Sequence, residues 1–97
     1  MATYIILSQF TGQGIHNVQD TIKRSDATKE LAKKLGVKFI DNFWTMGRYD
    51  TVSLVEAPDD ETVAALALGV AKLGNVRTET LRAFSQTEID QILKRVV

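Results

Sequence analysis

Apolar positions along this 97-residue chain recur with two alternating periods, and the alternation predicts the order of its elements. Tyr4 to Phe10 is rich in β-formers and predicts a first strand. Thr11-Gly12-Gln13-Gly14 breaks it and reads as a flexible turn. Asn17 to Asp20 fits either a loop or a ragged first turn of the helix that follows. From Thr21, the expected N-cap, to Leu35, the residues Ile22, Ala27, Leu31, Ala32 and Leu35 lie largely along one stripe. Glu30 and Lys34 pair on the opposite side, and Gly36 stops the helix. Val37 to Met46 and Asp50 to Ala57 predict two strands, and the short Gly47-Arg48-Tyr49 link makes them an antiparallel hairpin. Pro58 is tolerated in a first helical turn, and Asp59, Asp60 and Glu61 place negative charge at the positive end of the helix dipole. That helix is expected to run to Leu73, with Gly74 ending it in a left-handed conformation and Asn75 to Phe84 forming the last strand. Ser85 with Glu88 makes a capping box, after which Ile89, Ile92, Leu93 and Val96 mark one face of a short C-terminal helix.

The order β-α-β-β-α-β plus a tail helix predicts an α+β, ferredoxin-like domain over residues 1–97, with a four-stranded antiparallel sheet. Two patterns point beyond one chain. Val63 to Leu73 is apolar nearly all round, with Lys72 its only charge, whereas a helix on one sheet face needs about a 100° stripe. Alanine tolerates water and favours helix, which accounts for part of this pattern. Leu66, Leu68, Val70 and Leu73, however, cannot share one narrow stripe, so another subunit or the C-terminal helix is expected to cover part of it. In the first strand Ile5 and Leu7 oppose Tyr4, Ile6, Ser8 and Phe10, and in the third Val52 and Leu54 oppose Thr51, Ser53 and Val55. Neither face is plainly polar, although one helical layer covers only one of them. The expected partner is therefore self, as a homodimer or a higher multiple of dimers.

Composition narrows the function classes. Twelve basic residues balance twelve acidic ones without a block of either sign, so nucleic acid is not an expected partner. The βαββαβ order also belongs to RNA-recognition domains, but the last strand lacks their stacking aromatics. No basic amphipathic stretch, signal-peptide pattern or apolar run of roughly 20 residues is present, which predicts no membrane partner and a cytoplasmic location. Without cysteine there is no disulfide framework, thiolate nucleophile or cysteine metal site.

Candidate chemistry is sparse. Gly12-Gln13-Gly14 lacks the third glycine of a dinucleotide fingerprint, and the domain is too small for a doubly wound sheet. His16 is the only histidine, with no carboxylate at ligand spacing, so neither a metal nor another cofactor is expected. Tyr49 could donate a hydrogen bond to a substrate oxygen, with Asp50 orienting it or acting as base. In the structural reading, the weightier one, Asp50 is a turn residue and Tyr49 a half-buried lid. Arg82 shares a strand face with Val76, Thr78 and Thr80 and needs a carboxylate partner: Glu56, Asp50, an acid across a subunit interface (the favoured reading) or an anionic ligand. Trp44, Phe39, Phe43 and Met46 could line an aromatic pocket, with core packing as their default role.

The block Gly47-Arg48-Tyr49-Asp50, Glu56-Ala57-Pro58-Asp59-Asp60-Glu61 and Gly74 to Phe84 resembles the GYD family, small bacterial proteins named for a Gly-Tyr-Asp turn, with Arg48 interrupting the tripeptide here. Phe10-Thr11, Gly14-Ile15 and Lys23-Arg24 resemble its upstream landmarks. The resemblance implies a dimeric α/β barrel, in which two ferredoxin-like sheets close face to face. That superfamily spans cofactor-independent monooxygenases, haem-degrading enzymes, isomerases and ligand-binding proteins, so fold does not select an activity. The expectation is a homo-oligomeric small-molecule-binding or assembly module. Its alternative is a cofactor-independent oxygenase or isomerase acting on a hydrophobic carbonyl compound. Either a small hydrophobic ligand or a substrate would meet Trp44, Tyr49 and Arg82, with Asp50 and His16 as further catalytic candidates.

Overall fold

The computed structural model describes residues 1–97. Strand β1 (Ala2–Phe10) leads into a short helix α1 (Gly12–His16), a 3-10 turn (Val18–Asp20) and helix α2 (Thr21–Leu35). Strands β2 (Lys38–Trp44) and β3 (Thr51–Ala57), helix α3 (Asp60–Ala71), strand β4 (Val76–Ala83) and helix α4 (Gln86–Leu93) follow. The four strands form one sheet in the order β2-β3-β1-β4, and every neighbouring pair is antiparallel. This is the ferredoxin-like α+β arrangement that the element order predicts. No helix is long and apolar enough to cross a membrane.

Several boundaries differ from the sequence reading, each for a local reason. The glycine-rich segment after β1 is a helical turn, not a flexible one. Thr11 caps it by accepting the Gly14 N–H on its side-chain oxygen, and a Cβ on Gly14 would collide with the Asn75 carbonyl oxygen. Thr21 is the first residue of α2, with Asp20 at the N-cap, and Gly36 ends the helix at φ 81°. Helix α3 stops at Ala71 and not at Leu73, because its end tightens into i→i+3 bonds, from Leu73 N–H to the Val70 carbonyl and from Gly74 N–H to the Ala71 carbonyl. Gly74 takes the positive φ (86°) expected of it. At the other end, Asp59 accepts bonds from the Thr62 N–H at 2.8 Å and the Thr62 hydroxyl at 2.6 Å. Those two bonds hold the Asp59 carboxyl below the usual carboxylate range. The capping box of Ser85 and Glu88 starts α4 as predicted.

Tyr4, Ile6, Val55, Ala57, Val63, Leu66, Ala32 and Val37 form the core between the sheet and the α2–α3 layer. Val55 and Leu66 are the largest fully buried side chains, each contributing about 1.5–3 kcal/mol by leaving water. One irregularity redirects the edge of the sheet. Phe39 pairs with Val55 and Asp41 with Leu54, so Ile40 is an extra residue in β2. Because side chains alternate with period two, this bulge reverses the faces beyond it. Asn42 and Trp44, opposite Ser53 and Thr51, join Phe39 on the helix-covered side, and Phe43, opposite Val52, is turned to the other.

Candidate functional site

Between the sheet and helices α2 and α3 lies a partly open cavity of about 170 Å³. Its aromatic wall is Phe10, Phe39 and Trp44; Leu31, Leu66 and Val70 close the apolar side, and Ser8, Thr51, Ser53 and Thr78 face it from the sheet. A hydrogen-bond chain fixes one wall: the Ser53 hydroxyl donates to Asn42 Oδ1 at 2.8 Å, and Asn42 Nδ2 donates to the Ser25 hydroxyl at 2.9 Å. The Trp44 indole N–H donates to the Thr21 hydroxyl at 3.0 Å. These bonds join β3 to β2 and β2 to α2, so the wall is held by three elements. Arg24 is the one charged lining residue. Its guanidinium lies 5.8 Å from the Phe10 ring centroid and donates to the carbonyls of Asn17 (2.8 Å) and Gly14 (3.2 Å).

Of Tyr49, Asp50, Arg82, His16, Trp44, Phe39, Phe43 and Met46, only Trp44 and Phe39 line this cavity. Tyr49 donates its hydroxyl to Glu79 Oε2 at 2.7 Å, a bond that raises the phenol's pKa by favouring its protonated form. Asp50 works as a clasp. Its carboxylate accepts the Phe10 N–H at 2.8 Å, its own N–H donates to the Ser8 carbonyl, and its carbonyl accepts the Thr45 N–H. Arg82 pairs with Glu88 at 3.1 Å and lies over the rings of Phe84 and Tyr4. The expected partner for Arg82 (Glu56, Asp50 or an acid across an interface) is thus replaced by an acid of α4 in the same chain. Glu88 is six residues away and already positioned by the capping box, and the Ser85 backbone N–H followed by Arg82 keeps its carboxyl below the usual range. His16 sits exposed at the end of α1, and Met46 is 98 % exposed in the β2–β3 loop.

Sequence reasoning named Arg24 only beside Lys23, as a family landmark, and passed over it as a chemical group. It also missed the Tyr4 hydroxyl, which donates to Asp60 Oδ1 at 2.5 Å; that bond, burial and the nearby negative charge push the phenol up to about 12. The upstream landmarks do converge. Phe10 and Arg24 meet at the cavity, Thr11 donates to the Gly74 carbonyl at 2.6 Å, and Gly14 both packs on Asn75 and accepts from Arg24.

The opposite face of the sheet is uncovered and carries an apolar strip edged by charged residues, with Glu79 beside Leu7 and Asp41 beside Leu54. Ile5 sits between Leu54 and Leu81, and Leu7 and Phe43 flank Val52, so the group spans all four strands. None of these side chains is buried, and Phe43 and Leu81 are 54 % and 43 % exposed. On the helical side, Leu68 and Leu73 are also exposed, at 71 % and 61 %, as is the apolar face of α4. Exposed apolar residues clustered in this way are a candidate interaction surface.

Comparison with known proteins bears on the family and the fold. The family model for the GYD domain matches residues 4–93. A protein of Thermus thermophilus named "Glutamine synthetase and cystathionine beta-lyase binding protein" is 35% identical over 95 residues, covering 97% of this chain and 100% of the relative. A crystal structure of a Thermus thermophilus protein superposes with a TM-score of 0.63 at 29% identity, over 88% of this chain and 95% of the other.

Proposed function

This chain belongs to the GYD domain family, and from that premise we propose that it is a homo-oligomeric binding and assembly module. In this reading two sheets pack across the face formed by Ile5, Leu7, Phe43, Val52, Leu54 and Leu81. The observation that carries it is that apolar strip, which reaches all four strands and lies opposite a layer of helices that leaves it uncovered. At about 25 cal/mol per Å² of apolar surface removed from water, its cover by a second sheet is strongly favoured. The name of the relative supports a protein-docking role and a metabolic enzyme such as glutamine synthetase as a partner. Leu68, Leu73 and the exposed side of α4 would remain outside the sheet-to-sheet contact and available for that docking.

The oxygenase or isomerase reading has less support. Tyr49, Asp50 and Arg82 are engaged by Glu79, the β1 backbone and Glu88, and do not converge on one space. Sedimentation velocity at micromolar concentration, alone and with glutamine synthetase from the same source, tests the proposal. A dimer or multiple of dimers that co-sediments with the enzyme is expected; a stable monomer would remove the assembly half of the proposal, and separate boundaries would remove the named partner.

A further inference from the structure

We propose that the cavity between the sheet and the α2–α3 layer is a binding site for a small aromatic or branched aliphatic monocarboxylate. Its carboxylate is taken by Arg24, and its apolar body lies against Phe10, Phe39 and Trp44. This goes beyond the assembly reading and is independent of it.

Three observations carry the assignment. The first is charge. Arg24 is half-buried, and the chain's ion pairs are Arg82–Glu88 and Lys94–Asp90, so no carboxylate within 4 Å neutralises it. The Gly14 and Asn17 carbonyls take two of its N–H groups and fix the guanidinium plane, but they leave its net charge and its other donors available. A planar fork held in this way matches a carboxylate bidentately. The second is shape. A dry cavity of about 150 Å³ accepts benzene, so the 170 Å³ here suits a ring or a branched chain and little more. The third is the polar lining. Ser8 lies directly between Thr51 and Thr78 in the sheet register, which sets three hydroxyls in a row across β3, β1 and β4. No buried side-chain polar atom lacks a partner, so hydroxyls not bonded within the chain open onto the cavity, where they can meet a hydroxyl or keto group on the ligand.

The experiment compares benzoate, isovalerate and the neutral benzyl alcohol by calorimetry and by amide chemical shifts on the full chain. Benzoate or isovalerate is expected to shift resonances of Phe10, Arg24 and Trp44 and to bind at least tenfold tighter than benzyl alcohol. Arg24→Gln should weaken carboxylate binding at least tenfold with the oligomeric mass unchanged. Equal binding of benzoate and benzyl alcohol would overturn the role of Arg24, and no shift at cavity residues at millimolar ligand would overturn the site. The carboxylate-to-alcohol comparison on the unmodified protein decides the proposal even if Arg24→Gln fails to fold.

Discussion

The two faces of the single sheet mix apolar and polar residues in different ways. The covered face places Ser8, Ser53, Thr51 and Thr78 among Tyr4, Ile6 and Val55, and those hydroxyls leave a cavity under the helices. The uncovered face carries an apolar strip of Ile5, Leu7, Val52, Leu54, Leu81 and Phe43, edged by Asp41, Glu56 and Glu79. In the proposed assembly another chain covers that strip, while the internal face keeps polar groups beside a cavity.

The contrast can be broken most forcefully on the bare face. Ile5→Asp places a charge between Leu54 and Leu81, and an unpaired charge in an interface costs several kcal/mol. Self-association is expected to weaken by roughly three orders of magnitude, read by light scattering, with the fold of each chain retained. On the covered face, Leu66→Ala is expected to cost about 2–5 kcal/mol of folding stability in a denaturant titration, because Leu66 is 1 % exposed and its loss leaves a void beside the cavity. A smaller effect, about 1–3 kcal/mol, is expected for Gly14→Ala, whose Cβ meets the backbone of Asn75 and forces α1 away from the β4 end of the sheet.

The smallest effect sharpens the polar side of the comparison. Tyr4 keeps its proton when folded, with its pKa raised from 10.0 to about 12, chiefly by the bond to Asp60. A raised folded pKa stabilises the protonated state, so this contribution is complete below pH 10 and is lost as pH rises through about 12. Chemical denaturation across that window should show a decline in stability that Tyr4→Phe removes, with the difference between the two proteins vanishing at the alkaline end.

Most of the fold was legible because its elements are periodic and punctuated. Gly36 and Gly74 have the positive φ expected of them, Ser85 and Glu88 form their capping box, and the hairpin and strand order follow from spacing. What stayed hidden depends on partners distant in the chain. The extra residue Ile40 is visible only against β3, yet it decides that Phe39 and Trp44, and not Phe39 and Phe43, share a wall. Two glycines disguised α1, whose order comes from the Thr11 cap and the Asn75 backbone. Tyr49 and Asp50 were legible as turn residues, but their side chains are used on other strands, on Glu79 of β4 and the Phe10 N–H of β1. Arg24 was legible as a family landmark beside Lys23 but not as a chemical group, since nothing local reveals that it would bond to carbonyls of the preceding short helix and its C-cap.

The most direct test of the account is an isotope-filtered NOE measurement on a mixed sample of labelled and unlabelled chains. The account predicts intermolecular contacts from the methyl groups of Ile5, Leu54 and Leu81, and none from the core methyls of Val55 and Leu66. A chain that tumbles as a monomer, or one whose intermolecular contacts arise only from the helical side, would contradict it.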